Sequence, residues 1–230
     1  MREEVFGGAR LILGDCREII SSLQYDSVIT DPPYGTEDSV GGRKGYGRGH
    51  YHGHNFGTTT ILNDVTLDCC LEAMAKIKTG TRIAAFYSPR KAPEFLSRMV
   101  DLDLEYTFGL IWDKKMPGLG RDQHVRYHHE MIAIFESGEP AYEMGYTNSI
   151  IVDVRDPDLH PHQKPLTLME TLVSFVGGNT ILDPFMGSAS TLVAALRLGR
   201  RAIGIELDEA HFATACRRVE AASKQDGLFT

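Results

Sequence analysis

Cysteine is scarce. The 230 residues hold four, Cys16, Cys69, Cys70 and Cys216, and none forms a CxxC pair. That argues against a disulfide framework or a zinc knuckle and fits a reducing cytoplasm. Long apolar runs are missing too. None approaches the roughly 20 residues a membrane helix needs, and the acidic opening Met1-Arg2-Glu3-Glu4 has no apolar stretch, so no signal peptide is expected. An excess of basic residues is also absent: 24 Lys and Arg face 31 Asp and Glu, for a net charge of -7. A protein that coats nucleic acid non-specifically is thereby disfavoured, while an enzyme that touches nucleic acid through local basic loops is not. What is present is ordinary globular stock, 42% hydrophobic and 24% charged, in a chain long enough for one sizeable core.

Short apolar strands alternate with amphipathic helices, the pattern of a mostly parallel sheet with helices on both faces. Strands are expected over residues 10–13, 27–30, 82–87, 106–112, 131–135, 180–182 and 202–205, and helices over 64–76, 92–100, 166–175, 190–198 and 208–222. Gly-containing turns at Thr79-Gly80, Gly177-Gly178 and Leu198-Gly199 punctuate them. Two segments break the alternation. Residues 39–57 are rich in Gly, His and Tyr, carry Arg43, Lys44 and Arg48 and no acid, and read as a long loop. Residues 114–129 set Lys114, Lys115, Arg121 and Arg126 against Asp122 alone. No internal repeat or linker marks a second domain, so residues 1–230 are expected to form a single one.

The sharpest motif is Asp31-Pro32-Pro33-Tyr34, directly after the strand expected at 27–30. Ligands of open α/β sheets bind at the carboxyl ends of strands. The two prolines fix the backbone and remove two N–H donors. Asp31 offers a carboxylate acceptor and Tyr34 a flat ring, which together suit a planar base bearing an exocyclic amino group. The plain alternative is a Pro-Pro turn with a capping Asp. The second motif, Ile181-Leu182-Asp183-Pro184-Phe185-Met186-Gly187-Ser188-Ala189-Ser190, reads as strand, small-residue turn and helix, and the next strand ends in Gly204-Ile205-Glu206. An acid about 20 residues beyond such a turn is the signature of a ribose contact. Without a full G-x-G-x-x-G, an adenosine ligand lacking phosphates fits better than a dinucleotide; an ordinary βαβ unit is the alternative. His160-Pro161-His162-Gln163-Lys164-Pro165 leads into a helix with Pro at its start, where Lys164 and Gln163 could meet a ligand carboxylate. Asp15, after the first strand, reads equally well as a helix cap. His50, His52 and His54 invite a metal reading, but a Gly-rich loop holds no fixed geometry and no metal is expected.

In combination these motifs resemble the S-adenosylmethionine-dependent DNA amino-methyltransferases, the adenine-N6 and cytosine-N4 enzymes. Asp31-Pro32-Pro33-Tyr34 is similar to their catalytic motif, the 183–188 turn to their cofactor turn, Glu206 to their ribose acid, and the 160–165 segment to their His-Pro-Thr-Gln-Lys-Pro element; Trp112-Asp113-Lys114 and His129-Glu130 resemble the strands between. With the catalytic motif first, the order resembles the family's β-type arrangement. The resemblance implies the class I methyltransferase fold: α/β, Rossmann-like, doubly wound and mostly parallel, with an antiparallel edge strand. It implies S-adenosylmethionine as cofactor, DNA as substrate, no membrane partner, and a homodimer as one assembly state. Asp31 rather than Ser leans toward adenine N6 over cytosine N4; a non-catalytic DNA-binding module is the alternative from another class. Catalysis then falls to Asp31, Pro32, Pro33 and Tyr34. Cofactor binding falls to Asp15, Asp31, Gln163, Lys164, Asp183, Phe185, Gly187, Ser188 and Glu206, and DNA contact to Arg43, Lys44, Arg48, Lys114, Lys115, Arg121 and Arg126. Two positions depart from the family pattern: Ala189 stands where the turn usually has Gly, and His162 where Thr is usual. The span from Trp112 to His160 is too short for a large target-recognition domain.

Overall fold

A computed structural model describes residues 2–32, 67–115, 128–153 and 163–226. Nine strands among them form one sheet: β1 (Arg2–Phe6), β2 (Ala9–Leu13), β3 (Ser27–Thr30), β4 (Thr81–Tyr87), β5 (Glu105–Asp113), β6 (His129–Ser137), β7 (Ile150–Val152), β8 (Thr180–Asp183) and β9 (Arg201–Glu206). Their order is β1-β2-β9-β8-β3-β4-β6-β5-β7. The run β2-β9-β8-β3-β4 is parallel throughout. β1 is an antiparallel edge, and β6 runs antiparallel between β4 and β5.

Burial follows from this order. β3, β4 and β8 are buried at every position, as central parallel strands covered on both faces must be. The described residues include six α-helices: α1 (Cys16–Ile19), α2 (Leu67–Met74), α3 (Ala92–Val100), α4 (Leu166–Val176), α5 (Ser190–Arg197) and α6 (Glu209–Asp226). Strand residues alternate between two cores. Leu11, Ile29, Ala84 and Ile134 pack with Leu172, Leu192 and Phe212 from α4, α5 and α6. Ile12, Val28, Ile83 and Phe135 pack with Ile19, Leu71 and Phe95 from α1, α2 and α3. The sheet is therefore doubly wound, with three of the described α-helices on each face.

Every expected strand is present within about two residues at each end, and the helix expected at 92–100 has those bounds. Three elements escaped the pattern. β1 (REEVF) pairs along an exposed edge, β7 has three residues, and α1 is a four-residue turn capped by Asp15. None of the four cysteines forms a disulfide. No helix among the described residues is long and apolar enough to cross a membrane.

Candidate active site

From β3 the chain winds to β4 on one side; from β8 it winds to β9 on the other. The two strands are neighbours, with Ser27 opposite Ile181 and Val28 opposite Leu182. Their carboxyl ends thus open on the crevice where winding direction reverses, the place where open α/β sheets bind ligands. Asp31 leaves β3 there and Asp183 ends β8 there. Glu206 ends β9, opposite Leu13, so Asp15 stands at the same edge.

The turn after β8 is built largely from backbone donors. Asp183 is 4% exposed. Its Oδ1 accepts the Phe185 N–H at 3.1 Å and its Oδ2 accepts the Thr191 hydroxyl at 2.5 Å. The Gly187 N–H donates to Glu206 Oε2 at 3.0 Å, and the Asp208 N–H to Oε1 at 2.9 Å. Met186 N–H reaches the Ile205 carbonyl at 3.0 Å, tying the turn onto β9. Gly204 permits that closeness: a Cβ there would stand 2.4 Å from Met186 Sδ and 2.9 Å from Leu192 Cδ1. Gly187 adopts φ 49° and Ala189 φ 62°, so the left-handed geometry is kept at the position where Ala replaces the family's Gly. Arg218, from α6, donates to the Ser188 carbonyl.

Burial pushes Asp183 up to about 7, against the Thr191 and Phe185 hydrogen bonds and with help from the charges of Asp31 and Glu206. Burial also raises Glu206, against the N–H groups that favour its charged form. That Asp183 senses both carboxylates puts the first motif and the last in one electrostatic neighbourhood.

The other wall is held by charged side chains. Lys164 Nζ pairs with Asp31 Oδ2, lies 3.1 Å from Glu130 Oε2, and sits 4.8 Å from the Phe86 ring centroid. Lys114 Nζ pairs with Glu130 Oε1 and lies 4.9 Å from the Trp112 ring centroid. Burial acts to lower Lys164, but Asp31 and Glu130 outweigh it and hold the ammonium above the ordinary lysine range. Burial likewise acts to raise Glu130, and Lys164 and Lys114 outweigh it, holding the carboxyl below its usual range.

The remaining expected residues are less convergent. Asp15 caps α1 through the Arg17 N–H at 2.9 Å, and its carboxyl is lowered chiefly by the Arg17 side-chain hydrogen bonds. Gln163 and Phe185 are half-buried, Phe185 against the α1–α3 core. Pro32 is buried beside Asp31. Lys115 pairs with Asp113 at 2.9 Å. Lys114, expected on DNA, is engaged with Glu130 and Trp112. Pro33, Tyr34, Arg43, Lys44, Arg48, Arg121, Arg126 and the segment from His160 to His162 lie outside the described residues. Among the described residues, no group of three or more His, Cys, Asp or Glu could hold a metal ion.

Sequence reasoning did not single out Glu130, Thr191 or Arg218 as site residues. Glu130 carried a signal, a lone acid entering the apolar stretch Met131–Phe135. Thr191 and Arg218 carried none, because a helix Thr and a helix Arg are ordinary surface residues until the turn folds against them.

The model of the N6/N4 methyltransferase family, described as DNA methylase, matches residues 141–217. Over 226 residues the chain is 30% identical to YubD of Escherichia coli (strain K12), which carries the name of a methylase; the match covers 94% of this chain and 92% of that protein. The fold is similar to that of the M1.HpyAVI–SAM complex, with TM-score 0.66 and 22% identity over 91% of this chain and 99% of that one. It is also similar to that of the cytosine-N4-specific PvuII DNA methyltransferase, with TM-score 0.67 and 15% identity over 96% and 93%. The crevice suits the cofactor these relatives point to. Among the described residues nothing lies within 4 Å of a Cβ built on Gly187, and the buried Ser190 hydroxyl beside the turn has no hydrogen-bond partner. An open backbone, an unpartnered hydroxyl and two carboxyls are what a hydroxylated, positively charged ligand requires. A chain with this fold, this crevice and this extent of identity belongs to the N6/N4 family of DNA methyltransferases, whose cofactor is S-adenosylmethionine.

Proposed function

We propose that this enzyme methylates adenine N6 in DNA, on a base turned out of the duplex into the crevice between β3 and β8. The observation that carries the reading is the position of Asp31, a carboxylate one strand away from the cofactor turn. When bound, S-adenosylmethionine would supply a sulfonium methyl group to the adenine amino nitrogen, leaving the thioether S-adenosylhomocysteine, and the proton lost from nitrogen would pass to solvent.

The chain's own groups make that nitrogen able to attack. Its lone pair is delocalised into the ring. Asp31 accepts a hydrogen bond from the amino group and the Pro32 carbonyl accepts the other, drawing the nitrogen toward tetrahedral geometry. Turning the base out costs a few kcal/mol, and stacking on Tyr34 returns about 1–3 kcal/mol. In-line placement contributes roughly 7–11 kcal/mol toward the barrier. Glu206 binds the ribose hydroxyls, Asp15 the cofactor adenine, and Gly187, Ser188, Phe185 and Asp183 border the methionine end, with Gln163 near its carboxylate. Arg43, Lys44, Arg48, Arg121 and Arg126 meet the DNA backbone, with Lys115 at the rim. The reading takes residues 1–230 as one methyltransferase domain, since all the described helices pack on a single sheet.

The preference for adenine rests on Asp rather than Ser at position 31. The test is to incubate the protein with cofactor and DNA and identify the methylated nucleoside by mass spectrometry. N6-methyladenine is expected; N4-methylcytosine would overturn the choice of base. Asp31→Ala should abolish transfer while cofactor affinity stays within a few-fold. Labelled methyl still reaching DNA at the wild-type rate would remove Asp31 from the chemistry.

A further inference from the structure

We propose that Glu130 is a positioning residue for methyl transfer: it anchors the ammonium of Lys164 against Asp31 and so sets the orientation of the carboxylate that receives the substrate amino group. This rests on the reading of Asp31 given above and extends it to a residue on another strand.

The geometry is a chain of alternating charge, Lys114–Glu130–Lys164–Asp31. Lys114 follows β5, Glu130 lies in β6, Lys164 precedes α4 and Asp31 follows β3. The elements converge because β5 ends where β6 begins, with Trp112 opposite Glu130, and β6 begins where β4 ends, with Met131 opposite Tyr87. All these ends open on the crevice beside β3. The Lys164 side chain is 12% exposed. A single carboxylate partner would leave that long chain a choice of rotamers; a second, from a different strand, removes it. The Phe86 ring closes the side toward β4. Lys114, bound to the other oxygen of Glu130, holds the glutamate in turn.

The ammonium of Lys164 lies within ion-pair distance of two carboxylates. Both of its carboxylate partners belong to the chain itself. Its task is then to hold Asp31, and the work at the methionine end falls to other groups. A displacement of about 1 Å at a reacting group is enough to cost on the order of a hundredfold in rate, so loss of the anchor should be felt in kcat rather than in cofactor binding.

The groups facing Lys164 among the described residues are Asp31 from the β3 exit and Glu130 from β6, with Lys114 beyond Glu130; β4 contributes the uncharged Phe86 ring. Burial acts to lower Lys164 and the two carboxylates oppose it. Removing the charge of Glu130 must therefore move the lysine titration to lower pH.

The experiment compares wild type, Glu130→Gln and Glu130→Asp. In Glu130→Gln, kcat should fall roughly ten- to a hundredfold. The dissociation constant for S-adenosylmethionine, by calorimetry, should stay within about twofold, which also reports that the variant is folded. The alkaline limb of the kcat profile should move to lower pH. So should the titration of Lys164, followed by NMR with 13Cε-labelled lysine and assigned with Lys164→Arg. Glu130→Asp, which keeps the charge, should bring that titration back toward wild type. The proposal is overturned by a Lys164 titration that does not move in Glu130→Gln, by a kcat within twofold of wild type, or by a tenfold loss of cofactor affinity with kcat retained. Rates are measured on whichever nucleoside the wild type methylates, so an unexpected nucleoside counts against the adenine reading alone. The NMR titration needs no turnover at all.

Discussion

The two walls of the crevice are made differently. The cofactor wall is local: the bonds that shape it join residues 2, 8, 19 and 30 positions apart, and most of its donors are backbone N–H groups. The acceptor wall is assembled over distance: Lys164 meets Asp31 across 133 positions, and its contacts are ammonium–carboxylate pairs. Backbone donors cannot titrate or swing away, so the cofactor wall stands preformed. Charged side chains keep their geometry only while their partners keep their charge, and at partly exposed sites salt weakens them. One wall should therefore break through packing and burial, the other through charge.

Asp183 tests the cofactor wall by its weakest point, a buried carboxyl whose hydrogen-bond donors among the described residues are uncharged. Burial raises it to about 7. An acid whose folded-state value lies above its unfolded value of about 4 favours the fold below pH 4, and that favour is lost as the pH climbs to 7. The unfolded chain releases the proton first, so its relative stability rises. The difference amounts to on the order of 4 kcal/mol. Asp183→Asn is isosteric and cannot ionise. In urea denaturation it should gain on the wild type by that order between pH 4 and 7.5. A constant difference across the range would show that Asp183 is ionised throughout.

Gly204→Val attacks the same wall through packing. The added carbon atoms meet Met186 Sδ and the Leu192 methyls, both in buried side chains, and overpacking of this kind costs about 1–3 kcal/mol. The turn must lift from β9, so cofactor affinity should fall by about tenfold or more, roughly the affinity equivalent of 1.4 kcal/mol. The Lys164 titration should stay where it is in the wild type. If both change together, the two walls are one cooperative unit and the contrast between them is wrong.

The same contrast explains what was legible in the amino-acid sequence. The backbone of the turn after β8 was legible apart from its helix contacts Thr191 and Arg218, because strand, small-residue turn and terminal acid lie within one βαβ unit and their spacing is the geometry. β3 and its exit were legible for the same reason: Ser27–Thr30 is a short apolar run ended by Pro-Pro. The acceptor wall was only half legible. Lys164 and Asp31 were each singled out, but their pairing and the part of Glu130 were not, since nothing local to residue 164 shows that residues 31 and 130 will flank it. The partner of Lys114 was hidden in the same way: a lysine in a basic, irregular stretch suggests DNA, and the pairing of β5 with β6 places Glu130 beside it. β1 and β7 were missed because edge strands bury little, so Arg2–Phe6 and Ile150–Val152 carry no strong apolar periodicity.

The smallest effect is expected at Ala189, where the cofactor wall departs from the glycine usual in the family. Its φ of 62° and ψ of 35° put an L-residue with a Cβ in the left-handed region, at a cost of roughly 1–2 kcal/mol that glycine escapes. Two terms oppose the exchange to Gly. The alanine methyl is wholly buried, and burying one such carbon stabilises by about 0.8 kcal/mol. Glycine also loses more chain entropy on folding, about 0.5–1 kcal/mol. The sums nearly cancel, so Ala189→Gly should change stability by less than about 1 kcal/mol and leave cofactor affinity within twofold. Ala189→Val supplies the contrast: it keeps the unfavourable backbone, adds a β-branched side chain to a site with no exposed area, and should destabilise clearly in the same thermal scan. A large gain from Ala189→Gly would mean that the turn stores strain, and that the cofactor wall, instead of standing relaxed and preformed, is held under tension until the cofactor arrives.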